Sequence, residues 1–157
     1  MAQYAATTSV TSEKSRNEIE RTLRRYGADD FAYATNRSQA MIAFVAHDRQ
    51  VRFILPMPDP GAREFTHTPT GRAKAPGARE EAYEQAIRQR WRALALMVKA
   101  KLEAVDSGIV SFEQEFLPHI ILPGGQTVYQ QIAPGIEQSY ASGALAPLLA
   151  IGGTHGN

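Results

Sequence analysis

One amphipathic pattern of helical period constrains the fold of this chain more than any other feature. Apolar residues recur every three or four positions and fall on one helical face at Tyr83, Ile87, Trp91, Leu94, Val98, Leu102 and Val105. The pattern begins near Ala78 and ends before "DSG" at 106–108. It predicts a helix about 40 Å long. We expect this helix to lie against a sheet, with Trp91 in the core, because large aromatic side chains dominate protein cores.

Three apolar segments that precede the long helix predict the sheet, at residues 31–36, 40–47 and 51–56. The links between them are short enough for hairpins, so an antiparallel meander is expected. In the third segment Arg52 alternates with apolar residues, which gives that strand one polar face. Residues 40–46 are apolar at every position, which predicts a central strand covered on both faces. The second cover must then come from later in the chain or from another subunit.

Shorter helices are predicted at both ends of the chain. An N-terminal helix spans residues 12–27, with Ser15 and Glu18 at capping-box spacing and Gly27 as its stop. Later, Ser111 caps a short helix that Pro118 halts. A Pro-Gly-Gly turn follows, then a helix that begins with a capping box at Thr127, and finally a turn or two that start at Pro134.

These elements predict an α+β fold: an N-terminal helix, a three-stranded antiparallel meander, a long amphipathic helix and small C-terminal helical and strand elements. We expect residues 1–11 to be disordered, residues 12–150 to form a single domain, and residues 151–157 to be a flexible Gly-rich tail. The segment "LAPLLAI" at 145–151 has no charge, so it predicts either a buried interface or an adhesive terminus.

Composition excludes several classes of protein. The chain has no cysteine, which excludes disulfides, thiolate catalysis and cysteine zinc sites. It has neither a membrane-span-like apolar run nor a secretory leader pattern, so we expect a cytoplasmic protein that does not bind membranes. All 17 Lys and Arg lie in residues 1–101 with 11 acids, a formal +6, whereas residues 102–157 carry five acids and no Lys or Arg, a formal −5. This asymmetry predicts an anionic partner, two mutually attracting halves, or ordinary solvated faces.

Motifs of enzymes are missing from the sequence. It contains no phosphate-binding loop of the GxxxxGK[ST] type, no GxGxxG and no GxSxG. Thr66 and His67 supply a hydroxyl and a base, but neighbours in an extended loop point in opposite directions. Glu115 and His119 have helical spacing for two metal ligands, with Pro118 between them. We therefore predict no catalytic residue, no metal ligand and no cofactor.

A long link and a set of basic residues give the candidate ligand site. The link from Pro56 to Gly77 is long for a compact domain, and such loops are usually functional or mobile. Its hydroxyls, imidazole and cations are groups that hold phosphates without cleaving them. The predicted ligand-binding residues are Thr66, His67, Thr68, Arg72 and Lys74 of the link, together with Arg24, Arg88 and Arg92 of the helices. The alternative for the helical arginines is a solvated surface with local ion pairs.

Three segments resemble a family of small proteins encoded by bacteriophages and prophages. These are "VRFILPMPD", "RQRWRALALMVKAKLEAV" and "FLPHIILPGGQTV", and the resemblance spans roughly residues 14–130. The family has no assigned activity, so the resemblance implies no catalytic residue. It implies a phage accessory protein in the bacterial cytoplasm, of the kind that binds a host component and inhibits, diverts or sequesters it.

From the residues and this resemblance together we predict a phage accessory binding protein that captures an anionic ligand without turnover. The ligand is expected to be a nucleotide-type small molecule that serves as a host immune signal, or a nucleic acid. The alternative is a protein–protein inhibitor of a host defence or metabolic enzyme, acting through residues 145–151. A hydrolase is the third hypothesis. A homodimer or higher oligomer is expected, because the apolar strand 40–46 and the apolar tail exceed what two main helices can cover. A dimer is favoured, because two-fold dimers are the commonest symmetric assemblies.

Overall fold

The computed structural model describes residues 5 and 7–149, which form an α+β fold as predicted. The elements in chain order are α1 (Ser12–Arg25), β1 (Asp29–Thr35), β2 (Gln39–Ala46), β3 (Arg49–Pro56), α2 (Arg63–Thr66), α3 (Pro76–Asp106), α4 (Phe112–Phe116), a 3₁₀ turn (Leu117–His119) and α5 (Val128–Ser142). Within the described part of the chain, no helix is both long and apolar enough to cross a membrane.

The sheet is the predicted antiparallel meander in the order β1-β2-β3, so β2 is its central strand. The link between β2 and β3 is shorter than expected: only His47 and Asp48 form the turn, with φ of 51° and 59°. Two consecutive residues in the left-handed region are typical of a two-residue hairpin, whose twist matches that of the strands. At the other end of the sheet, β1 contains a bulge between Asp29 and Ala32.

Both large helices cover the same face of the sheet. Alternate residues of β2, from Ala40 to Ala46, are buried in one core cluster with Ile19 and Leu23 of α1 and with the apolar face of α3. The opposite face of β2 carries Met41, Ala43 and Val45, which are only partly buried. The expectation that β2 is covered on both faces is therefore wrong for residues 5 and 7–149, the part of the chain that the structure describes. Since α1 and α3 pack side by side, neither is left to cover the second face.

The long helix forms as the apolar period predicts. It begins with Pro76 in its first turn, where the missing N–H costs no helical hydrogen bond. Trp91 lies in the core, and its ring centroid is 5.6 Å from that of Tyr33. The Arg16 guanidinium lies over both rings, 4.9 Å from the centroid of Tyr33 and 5.3 Å from that of Trp91. This cation–π contact ties α1 to the edge strand and to α3.

The predicted first residue of α1, Ser12, is confirmed, but the capping box predicted at Ser15 is wrong. Thr11 is the N-cap, and its hydroxyl accepts a hydrogen bond from the Lys14 N–H at 3.1 Å. Ser15 lies inside the helix on the face that also carries Ile19 and Leu23, and it is fully buried. Its Oγ has no hydrogen-bond partner. The local sequence offers two hydroxyls, and the packing of the apolar face decides which of them marks the helix end.

Replacement of this unpartnered hydroxyl is expected to stabilise the protein. Ser15→Ala removes a buried polar atom that loses its water on folding and gains no protein partner, so the free energy of unfolding should rise by about 1 kcal/mol. Urea denaturation measures the change. Asn17→Ala, on the exposed side of α1, is the matched control and should gain only about 0.5 kcal/mol of helix propensity. A destabilised Ser15→Ala variant would contradict the assignment of Ser15 as unpartnered.

The C-terminal helices begin at their predicted caps, but Pro134 does not begin a separate helical turn. Ser111 and Thr127 cap their helices as predicted, and each forms a complete capping box. Pro134, expected to begin a separate turn, lies inside α5. Its missing N–H leaves only the Gln130 carbonyl without a helical donor. Because Pro134 and Gln130 are both exposed, water can bond that carbonyl, and the helix continues.

Two ion pairs join the basic first part of the chain to its acidic last part. Arg49 contacts Glu113 at 2.8 Å, and Lys101 contacts Glu115 at 3.0 Å. Both pairs join α4 to elements that precede it in the chain, β3 and α3. Some of the charge asymmetry of the sequence is therefore used within the molecule, as the hypothesis of two attracting halves predicts.

Candidate functional site

The link between β3 and α3 is an ordered hairpin in the region of its predicted ligand residues. His67 and Ala73 form an isolated antiparallel bridge, and the Thr68 N–H donates to the Arg72 carbonyl at 2.7 Å. Gly71 closes the turn with a φ of +89°, a value that favours glycine. We call residues 66–74 the link hairpin. It is a compact structure with its own hydrogen bonds rather than an open loop.

Most polar side chains of the link hairpin bond within it. Thr68 Oγ1 lies 3.0 Å from Thr70 Oγ1 and accepts a bond from the Arg72 N–H at 3.1 Å. Lys74 Nζ donates to the Glu64 carbonyl at 3.4 Å. The Arg72 side chain is exposed and makes no hydrogen bond to another described residue. The link hairpin therefore offers one free cation, Arg72, rather than a converging set of anion-binding groups.

Thr66 and His67 do meet, contrary to the expectation that their side chains point in opposite directions. Thr66 Oγ1 lies 2.8 Å from His67 Nδ1. The expectation failed because Thr66 ends the short helix α2 while His67 begins the extended segment, so the alternation of a strand does not apply. Among the described residues, no carboxylate bonds to the His67 ring, so the pair lacks the orienting acid of a catalytic triad.

The three helical arginines of the predicted site have partners within the fold. Arg24 pairs with Glu20 on α1 at 2.9 Å. Arg88 donates twice to the Gln85 side chain, at 3.1 and 2.6 Å. Arg92, which has no local partner in sequence, pairs with Glu18 of α1 at 2.5 Å. Arg92 thus joins α3 to α1, and these arginines act in packing and surface pairing rather than converging on one ligand.

A different part of the molecule forms a groove with mixed chemistry. It has a volume of about 430 Å³ and lies between the outer side of β3 and the segment 118–130. We call it the β3 groove, and its lining residues are Arg52, Ile54, Pro56, Pro118, His119, Thr127, Tyr129 and Gln130. The β3 residues of the groove alternate with the buried Val51 and Phe53, so they lie on the sheet face opposite the helices.

Arg52 is held in the β3 groove by two neutral oxygens. Its Nη2 donates to the Gly125 carbonyl at 2.9 Å and to Gln130 Oε1 at 3.1 Å. Its Nε is buried and has no hydrogen-bond partner. No carboxylate pairs with Arg52 among the described residues, and none lines the groove. The guanidinium therefore remains a partly buried positive charge without a neutralising partner.

The local sequence explains why these oxygens face Arg52. The Thr127 capping box fixes the Gln130 side chain, because Gln130 Oε1 accepts the Thr127 N–H at 2.9 Å. Gly124 and Gly125 adopt φ of +105° and +91°, and their turn presents the Gly125 carbonyl. A bridge between Val51 and Ile120 attaches this segment to the edge of β3. The position of Arg52 is thus set by a helix cap and a glycine turn.

His119 forms one wall of the β3 groove. Its ring packs on Phe53 with centroids 4.2 Å apart. Burial lowers the pKa of His119 below its ordinary value of 6.5, and the positive charge of Lys101 lowers it further. Glu115, which has helical spacing to His119, instead bonds Lys101. Across residues 5 and 7–149, no three His, Asp or Glu side chains are grouped as metal ligands would be.

The lowered pKa of His119 predicts a loss of stability in mild acid. Below pH 6.5 the unfolded chain binds a proton at this position that the folded protein resists, so protonation favours unfolding. The contribution of His119 is fully present above pH 6.5. It decreases as the pH falls from 6.5 towards the lowered folded pKa, and is constant below that. The free energy of unfolding measured between pH 7.5 and 5 should therefore fall with pH.

His119→Gln isolates this contribution, because it leaves every other titratable residue of the chain in place. The variant should lose less stability than wild type over the same pH range. Parallel stability curves for the two proteins would show that His119 titrates alike in the folded and unfolded states.

Sequence reasoning missed the β3 groove. It placed Arg52 on the polar side of its strand and recognised the Thr127 capping box, but did not connect them. The signal that connects them is an arginine flanked by the apolar residues Val51 and Phe53 of β3, together with a glycine turn whose carbonyl needs a hydrogen-bond donor. Only the pairing of β3 with the segment after α4 brings these features together.

No family model, curated protein or solved structure matches this chain.

Proposed function

We propose that this protein is a non-enzymatic binding protein and that the β3 groove holds an anionic small molecule of nucleotide type. In the bacteriophage setting that the resemblance implies, such a ligand would be a host signal that the protein sequesters. The groove replaces the link hairpin as the proposed site. Most polar groups of the link hairpin form hydrogen bonds with one another. The three helical arginines form hydrogen bonds or ion pairs with other helical residues.

The observation that carries the proposal is the unneutralised charge of Arg52. A partly buried charge is costly unless it is paired with an opposite charge, and Arg49 and Arg92 of this chain each have a carboxylate partner. Arg52 has only neutral acceptors. A phosphate or carboxylate would supply the missing charge and accept the free guanidinium N–H groups.

The rest of the groove favours a ligand with a flat ring beside its anionic group. Ile54, Pro56 and Pro118 make an apolar surface, and the Tyr129 ring is 63% exposed at the rim. An aromatic ring can stack on such a surface while its phosphate reaches Arg52. The volume of about 430 Å³ lies in the usual range for small-ligand sites.

A thermal-shift screen tests the proposal with AMP, a cyclic dinucleotide and inorganic phosphate as probes. A probe at 100 times its dissociation constant should stabilise the protein by about 2.7 kcal/mol. Titration calorimetry then compares variants. Arg52→Gln should weaken binding of the best probe about 10- to 100-fold, because a charge-assisted hydrogen bond contributes about 1.5–3 kcal/mol. Arg52→Lys keeps the positive charge but loses the planar guanidinium that can donate two parallel hydrogen bonds. Its affinity for the probe should therefore lie between those of wild type and Arg52→Gln.

Arg72→Gln is the matched control, because Arg72 is the free cation of the sequence-predicted site. It should bind every probe like wild type. If Arg72→Gln weakens binding and Arg52→Gln does not, the link hairpin is the site after all. If no nucleotide or phosphate shifts the melting temperature, the nucleotide-binding function is wrong.

A second candidate function rests on exposed apolar side chains near the end of the described chain. The segment 144–149 folds back on α5, where the Ala146 N–H donates to Ser139 Oγ at 2.9 Å. Tyr140 and Leu145 are each 88% exposed, and Leu149 is 55% exposed. An apolar surface of this kind is typical of a protein-binding site. It supports the hypothesis of a protein–protein inhibitor, for which Leu145→Asp should abolish capture of a host protein that Arg52→Gln still captures.

A further inference from the structure

We infer that the β3 groove is a site for a terminal phosphate, in which His119 is the second charged contact beside Arg52 and takes up a proton when the ligand binds. The inference rests on the proposed function and narrows its ligand class. A phosphate monoester carries between one and two negative charges near neutral pH, because its second pKa is about 6. A phosphodiester carries one, so a groove with two basic contacts favours the monoester.

Two basic side chains line the β3 groove from its two sides. Arg52 belongs to β3, and His119 belongs to the 3₁₀ turn that begins the segment on the other side. Both therefore lie within reach of one small ligand. No Asp or Glu is among the residues that line the groove. An anion in the groove would thus meet two basic groups and no repelling carboxylate.

The His119 ring is fixed in place, but its nitrogens are free. The ring packs on Phe53, and the turn that carries it is closed by the Ile120 N–H, which donates to the Leu117 carbonyl at 3.3 Å. Among residues 5 and 7–149, His67 has the only histidine ring that forms a hydrogen bond. Both ring nitrogens of His119 therefore remain for a ligand, and a protonated ring donates through both.

The groups around His119 favour its neutral form. Burial lowers the pKa of His119, and the positive charge of Lys101 on α3 lowers it further. The Glu115 carboxylate on α4 bonds Lys101 at 3.0 Å. Arg52 of β3 adds a second positive charge, and Tyr129 of α5 is uncharged at neutral pH. At pH 7 the ring is neutral until an anion comes close to it.

A bound phosphate reverses this balance of charge. Its negative charge beside the ring favours the protonated form, so the pKa of His119 should rise in the complex. A raised pKa in the complex means that binding takes up a proton. By linkage, the gain in affinity is fully present well below the pKa of the free protein, and it is lost as the pH rises through the pKa of the complex. The second charge of a monoester strengthens this effect.

AMP and cyclic AMP are matched probes, because they share base and sugar but carry a terminal phosphate and a diester. Titration calorimetry of the full chain at pH 6.5 should show wild type binding AMP about tenfold more tightly than cyclic AMP, the effect of one charge-assisted contact. His119→Gln should lower the affinity for AMP about tenfold and that for cyclic AMP about twofold, so the preference should shrink to about twofold.

Proton uptake is measured by repeating the AMP titration at pH 7 in two phosphate-free buffers of different ionisation enthalpy. Wild type should take up more protons than His119→Gln, by at most one, and its advantage in affinity over that variant should shrink at pH 8.5. His47→Asn is the control, since His47 is exposed and outside the groove, and asparagine tolerates its φ of 51°. It should bind AMP and take up protons like wild type.

A measurement on wild type alone removes any dependence on how the variant folds. Proton NMR should show that saturating AMP raises the pKa of the His119 ring. The inference is overturned if AMP leaves that pKa unchanged, or if AMP and cyclic AMP bind wild type with equal affinity. In either case the proposed function stands as long as Arg52→Gln still weakens binding. If neither probe binds at all, the proposed function fails and this inference fails with it.

Discussion

Trp91→Ala should destabilise the protein by about 3–5 kcal/mol, one of the two largest effects expected of a single substitution here. Trp91 is 2% exposed and lies where α3, α1 and the sheet meet. Truncation removes the apolar contacts of the largest side chain in the core. It also removes the ring under the Arg16 guanidinium and beside Tyr33. The cavity cannot collapse easily, because elements on three sides hold its walls apart.

Chemical denaturation followed by circular dichroism at 222 nm measures this loss without relying on the tryptophan signal. Leu96→Ala is the control on the same helix, since Leu96 is 37% exposed and lies off the buried face. It should lose less than about 1 kcal/mol. If Trp91→Ala were as stable as the Leu96 control, the face of α3 that carries Trp91 would not be packed against the core. Trp91 would then become a candidate ligand-binding residue.

Features that depend on neighbours in sequence were predictable. The period of α3 and the N-caps at Ser111 and Thr127 each involve residues close together in the chain, and the structure confirms them. Where two local signals competed, sequence alone could not choose. Thr11 and Ser15 are both good N-caps, and the burial of Ser15 beside Ile19 decided between them.

The candidate site was not predictable in the same way, because distant parts of the chain form it. Arg52 is 73 residues from Gly125 and 78 from Gln130, the two partners that hold it. Arg92 was taken as a free cation because its partner Glu18 lies 74 residues away. Counting charged residues identifies possible anion sites, but only tertiary pairing shows which cations are neutralised. In this chain tertiary pairing neutralises Arg92 through Glu18, whereas Arg24 pairs locally with Glu20. Arg88 bonds the neighbouring neutral Gln85, and Arg52 has only neutral acceptors from distant parts of the chain.

The uncovered face of β2 has a similar explanation. A fully apolar strand segment is compatible with a second layer, with another subunit, or with partial exposure. Met41, Ala43 and Val45 are partly buried, and their neighbours on β1 are the small residues Ala32 and Ala34. Hydrophobicity alone does not state how many layers a chain can supply, since that depends on where its helices pack.

Phe116→Ala is the second substitution with a large expected effect, about 3–5 kcal/mol. Phe116 is fully buried, and its ring contacts three other aromatic rings. The centroid distances are 4.6 Å to Phe112, 6.1 Å to Phe44 and 6.2 Å to Phe53. Such edge-to-face and offset contacts add to the area that is buried. This cluster is the main apolar attachment of α4 to the sheet.

Phe116 also supports the β3 groove, because the segment that forms its outer wall begins directly after α4. Loss of the ring should loosen that segment, so Phe116→Ala should weaken binding of the best probe even at temperatures where the protein stays folded. Denaturation and calorimetry on one preparation measure the two effects. Leu117→Ala, next in sequence and 47% exposed, should change neither by more than about 0.5 kcal/mol. Unchanged affinity in a destabilised Phe116→Ala would show that the wall is held by the Val51–Ile120 bridge and the Gln130 contact alone.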